Sequence, residues 1–172
     1  MFFSSKRGSR HFRLFYSGTK GAAAVEYAIV APVLFFLIIG IIQYNVIIFG
    51  ITVLEGATIA AARAGATLST GGYSSQSAYI KSILASNVGG LLDANKAYSN
   101  LSTVVYNTSD DYANSNPESS CSAGNPCFGA AGEVVVYTIK YPWPIVAPLF
   151  STIFGSGGIY TISTNMIVQN EP

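Results

Sequence analysis

Apolar positions crowd into one part of this chain. From Tyr27 to Leu54 there is no Asp, Glu, Lys or Arg, and most positions are Ile, Val, Leu, Phe or Ala. The stretch Tyr27 to Phe49, broken only by Pro32, Gly40, Gln43 and Asn45, exceeds the roughly 20 residues a helix needs to cross a bilayer. Helical from Ala22 to about Ala66, it would reach roughly 65 Å at 1.5 Å per residue, so its C-terminal part projects beyond the membrane. Pro32 removes one backbone bond and is expected to kink the helix in its first membrane turns. Gly56, Ala60 and Ala64 lie four apart on one helical face. That face suits close approach by another helix, or reflects no more than the high helix propensity of alanine. Gly71-Gly72 ends the rod.

Beyond the rod the periodicity changes. In SSQSAYIKSILASNVGG, Ser74 or Ser75 offers an N-cap, and Ile80, Ile83, Leu84, Asn87 and Val88 recur on one face before Gly89-Gly90. Three later segments, Leu101 to Thr108, Glu133 to Tyr141 and Ile159 to Gln169, are rich in β-branched and aromatic residues and predict strands. The polar segment Ser109 to Gly132 reads as a long loop, long enough to suggest a staple or a function. In YPWPIVAPLFSTIFGSGG, Pro142, Pro144 and Pro148 argue against a long helix or a central strand. The dense apolar group there, from Trp143 to Phe154, is either a flap over the core or an exposed patch for a neighbouring subunit or the membrane.

The predicted fold class is α+β. A long N-terminal transmembrane helix precedes a small exported domain with a short helix and an antiparallel sheet of about three strands, in meander order. The chain divides into a basic cytoplasmic leader (1–21), the hydrophobic helix (22–68) and an exported head (69–172).

Charge supports this topology. Only 10% of the 172 residues are charged, against about 25% in ordinary soluble domains. Lys6, Arg7, Arg10, Arg13 and Lys20 precede every acid in the chain. Beyond Gly21 only Arg63, Lys81, Lys96 and Lys140 stand against all eight acids. The basic end is therefore expected on the cytoplasmic side and the rest is expected to be exported. With no basic patch elsewhere, nucleic acid is not an expected partner. Cys121 and Cys127, spaced C-SAGNP-C, read in an exported domain as a small disulfide loop. A metal is the alternative, but two thiols with no nearby histidine make a poor site. Asp110 and Asp111 lack the ligand spacing of an EF-hand loop, so no metal and no cofactor is expected. The only histidine, His11, lies in the leader, so no Ser-His-Asp or Cys-His arrangement forms in the head, and no catalytic residue is assigned.

Glu26 is the exception in this apolar stretch. An acid at such an edge costs roughly 2–3 kcal/mol if it enters the hydrocarbon. The small residues Gly21-Ala22-Ala23-Ala24 come before the apolar core and not after it, unlike an ordinary signal-peptide cut site. Cleavage after Gly21 would expose the amine of Ala22 and make Glu26 the fifth mature residue. In an assembly, that carboxylate can meet the amine of a neighbouring copy.

The sequence G-AAAVEY resembles the Gly, any four residues, Glu-Tyr motif of Flp-type prepilins of the tight-adherence (Tad) type IV pilus system. AIVAPVLFFLIIGIIQ, LEGATIAAARAGA and the closing NMIVQNEP are similar to TadE-like proteins, in the same order. The resemblance implies a minor pilin or pseudopilin, cut after Gly21 by a prepilin peptidase that recognises Gly21, Glu26 and Tyr27. It implies further partners: other pilin subunits, the inner-membrane assembly machinery and the lipid bilayer. The residues left after cleavage are far too many for the major Flp pilin, which is little more than a helix. The alternative is a signal-anchored exported binding module that enters no filament.

Overall fold

The computed structural model describes residues 20–145 and 158–172. The basic residues of the leader before Lys20, and residues 146–157 of the proline-containing apolar passage, lie outside the described residues. The first element, α1, is a continuous helix from Lys20 to Ala66. Two compact units are distinguished, one ending at Ile38 and one running from Ile39 to Pro172.

In the first unit, every described side chain from Gly21 to Ile38 is exposed except those of Ala31 and Phe36. Pro32 lies inside the helix, which continues on both sides of it.

In the second unit, the C-terminal half of α1 is part of the core. Leu54, Ala57, Thr58, Ala61 and Ala62 are buried, and Ile47, Ile51 and Val53 pack against the same cluster. The helices α2 (Gln76–Asn87), α3 (Ala94–Ser99) and α4 (Ser109–Ala113) follow, with strands β1 (Leu101–Tyr106), β2 (Ser119–Cys121), β3 (Val134–Pro144) and β4 (Ile159–Gln169). The sheet order is β2-β1-β3-β4, and every pair is antiparallel. The three predicted strands are therefore consecutive neighbours. The short β2 is added outside β1. One face of the sheet, carrying Leu101, Val105, Val135, Tyr137, Ile139, Tyr141 and Ile162, joins the buried residues of α1 and α2 in one core.

The predicted α2 forms as its pattern dictates. Ser75 caps it by accepting from the Ala78 N–H at 3.1 Å, and Ile80, Leu84 and Val88 are buried. Gly89 and Gly90 follow with φ of +60° and +74°, a region that suits glycine. Two readings need correction. The segment 109–132 is not one unstructured loop, because Thr108 caps the short α4 and β2 pairs with β1. The sequence pattern also missed α3, which is nucleated by Asp93 accepting from the N–H groups of Asn95 and Lys96.

The prolines do not end β3, contrary to expectation, and the reason lies in the ladder. Lys140 donates its N–H to the Asn100 carbonyl, so even-numbered residues of β3 turn their backbone toward β1. Pairing with β1 stops at Leu101↔Ile139, while pairing with β4 continues to Pro144↔Ile159. Pro142 and Pro144 thus lack N–H groups only where β1 has already ended.

Candidate functional site

The residues singled out for processing lie in the first turns of α1. Gly21 has open space around its Cα, and Ala22, Glu26 and Tyr27 are exposed, Tyr27 by 69%. Glu26 is the only charged residue from Gly21 to Leu54. Its carboxylate has no ion-pair or hydrogen-bond partner among the described residues. One turn and a little more of helix separates it from Ala22.

Further along α1, the face packed on the sheet is built from Leu54, Ala57, Thr58, Ala61 and Gly65, the 3–4 spacing of a helix stripe. The predicted small-residue face only partly overlaps it. Ala64 is buried, Ala60 half-buried and Gly56 exposed with nothing near its Cα. Gly56 is thus left outward-facing.

Small residues on the buried stripe allow close approach. The Trp143 ring stands over Gly50, its Cζ3 3.0 Å from where a Cβ would be. Gly65 faces the Tyr137 hydroxyl so closely that any Cβ would overlap it. Thr58 donates its hydroxyl to the Leu54 carbonyl at 2.7 Å and so accepts from Thr164, 2.8 Å away, joining α1 to β4. A threonine among alanines was the available signal for this pin. Beside it a groove of about 210 Å³ is lined by Glu55, Ile59, Ser163, Asn165 and Met166.

Cys121 and Cys127 form a disulfide, as expected for an exported head. It closes the end of β2, and the Cys127 N–H donates to the Thr103 hydroxyl at 2.8 Å. Asn170 pins the neighbouring loop by donating to the carbonyls of Phe128 and Ala130 at 2.7 and 2.9 Å.

The acids are not gathered for chemistry. Asp111 accepts from the Thr108 hydroxyl at 2.7 Å in the cap of α4. No group of three metal-binding side chains occurs among the described residues. Glu118 and Glu133 come together, which sequence reasoning did not foresee. Local desolvation, then the Glu133 carboxylate, raise the Glu118 carboxyl above its usual range, although the side chain is exposed. Glu133 also accepts from the Ala130 N–H at 2.6 Å, which ties it to the loop.

These features define a class: a small α+β head built onto the end of a long N-terminal helix that is apolar and long enough to cross a membrane. Residues 21–63 match the family model described as TadE-like protein. The match begins at the glycine of the motif and ends in the part of α1 that packs on the sheet. Over this helix the chain is similar to TadE-like proteins. No curated protein and no solved structure matches it.

Proposed function

We propose that this chain is a minor pilin or pseudopilin of the Tad (Flp) pilus, processed by prepilin peptidase between Gly21 and Ala22 and acting through helix–helix assembly in pilus biogenesis and attachment. The observation that carries the reading is the TadE-like match starting at Gly21, on a helix exposed from there to Ile38 with Glu26 as its only charge. A lone acid in an apolar span needs a counter-charge. The Ala22 amine of an adjacent subunit, released by cleavage, supplies one. The basic leader holds the N-terminus in the cytoplasm and the head is exported, where the disulfide is stable. Gly56, exposed on α1, offers close approach to a partner helix, and Pro32 supplies a bend in the membrane part of the same helix.

Mass spectrometry of the membrane-extracted protein tests the cut. A mature N-terminus at Ala22 supports the proposal, and an intact Met1 supports a signal-anchored binding module instead. Gly21→Leu should accumulate the uncut form. Glu26→Ala should insert and fold normally yet lose assembly, so unchanged piliation by that variant would refute the charge-pairing role.

A further inference from the structure

The β3–β4 hairpin outruns the rest of the sheet, and its direction along α1 is fixed by three contacts. The Trp143 ring stands over Gly50, Thr164 bonds to Thr58, and the Glu171 N–H donates to the Ala66 carbonyl at 2.9 Å. β4 therefore runs beside α1 in the same sense, and the Pro144↔Ile159 end of the described ladder lies at the Gly50 level. Counted from Tyr27, the roughly 20 residues that cross a bilayer are used up by about Val46. The hairpin end thus stands at the turn of α1 where hydrocarbon gives way to headgroups.

Its composition suits that level. Between Lys140 and Glu171 the sequence has no charged residue. Ile159 is 49% exposed and Tyr160 39%, although both are large and apolar in body. Tyr160 is an aromatic of the kind that favours membrane–water interfaces, while Trp143 and Tyr141 are buried in the head's core beneath it.

The backbone suits it as well. On the side β1 leaves uncovered, the two positions that would present bare N–H groups are Pro142 and Pro144. The N–H of Ile145 is satisfied by the Gly158 carbonyl at 2.8 Å. An unpaired amide donor is costly where water is scarce, and the prolines remove it.

We propose that the exposed residues where the β3–β4 ladder ends, Pro144, Ile159 and Tyr160, form a second and shallow membrane contact, seated in the headgroup–acyl boundary of the leaflet on the head's side. It rests on the reading of α1 as a membrane span. Together with α1 it holds the head at one height and one rotation against the bilayer, so that every copy presents the same faces to its neighbours.

Trp143 is the chain's only tryptophan, which permits a direct test. In the full chain, Trp143→Phe combined with Ile159→Trp moves the indole to the exposed tip. The variant is placed one copy per nanodisc of phosphatidylcholine and phosphatidylglycerol, with lipids brominated either high on the acyl chain or near its end. The expected result is blue-shifted emission, quenched more by the shallow bromines than by the deep ones and poorly by aqueous acrylamide. Red emission quenched by acrylamide alone places the tip in water and overturns the proposal. Blue emission untouched by either bromolipid means that protein covers it, and overturns it equally. A companion variant, Trp143→Phe with Leu37→Trp, reports the span. If deep bromines fail to quench it, the span reading falls and this proposal with it. If they quench it while the tip is in water, only this proposal falls. Because loss of Trp143 removes packing on Gly50, Ile159→Lys in the otherwise native chain gives a second measure. In nanodiscs the backbone amides of residues 159–161 should then exchange with solvent faster than in the native chain, and unchanged exchange counts against the contact.

Discussion

Gly65 and Tyr137 show how one side chain dictates another. Tyr137 is fully buried in β3, and its hydroxyl has no hydrogen-bond partner among the described residues, a state that costs about 1–3 kcal/mol. Gly65 leaves the space that the hydroxyl occupies. Gly65→Ala should destabilise the head by about 1–3 kcal/mol through overpacking. Tyr137→Phe should be neutral or stabilising and should rescue part of the Gly65→Ala loss, since an added Cβ would still press on the ring, as a double-mutant cycle on thermal midpoints will show. Burial also pushes the Tyr137 phenol well above the ordinary tyrosine range. Below about pH 10 both folded and unfolded chains keep that proton; above it only the unfolded chain releases it, so this part of the stability is lost as pH rises. Tyr137→Phe should flatten the alkaline fall in melting temperature. None of this was legible beforehand. Ala60 and Gly56 look equivalent to Ala57 and Ala61 in sequence, and only the sheet chooses which of them are buried.

At the scale of elements, long patterns were readable and short ones were not. The helix of α1, the cap and face of α2, and the three long strands follow from apolar spacing. The short α3, α4 and β2 depend on single capping or pairing events, Asp93, Thr108 and the contact with Val104, which leave little trace in periodicity. The prolines of β3 misled for a specific reason: their cost depends on whether a neighbouring strand faces the missing N–H. The disulfide was legible because compartment and spacing agreed. It closes a loop with a sequence separation of 6. Replacing both cysteines by serine should lower head stability by about 2 kcal/mol on the loop-entropy account. The loss should centre on β2 and the Phe128–Glu133 loop, which hydrogen exchange can locate.

For the whole molecule, the long apolar helix was visible in the run of uncharged residues, and its likeness to TadE-like proteins in the motif that begins at Gly21. The sharing of α1 by the head's own core was not, because an apolar residue looks the same whether lipid or a sheet will cover it. From Ile47 onward the head covers one face of α1, while Ile48, Phe49 and Ile59 on the other stay exposed.

The outer strand β4 has a consequence of its own. It runs from Ile159 to Gln169 without a proline or a charge, and the backbone of alternate residues from Ile159 onward has no strand beside it among the described residues. On the proposed reading of α1 as a membrane span, copies in one bilayer all hold this strand pointing the same way, so two of them cannot zip head to foot. Dissolved in detergent, the molecules are free to invert. They should then pair along β4, and Ile167→Lys should keep them apart in sedimentation. The lipid guards a border that the amino acids themselves leave open.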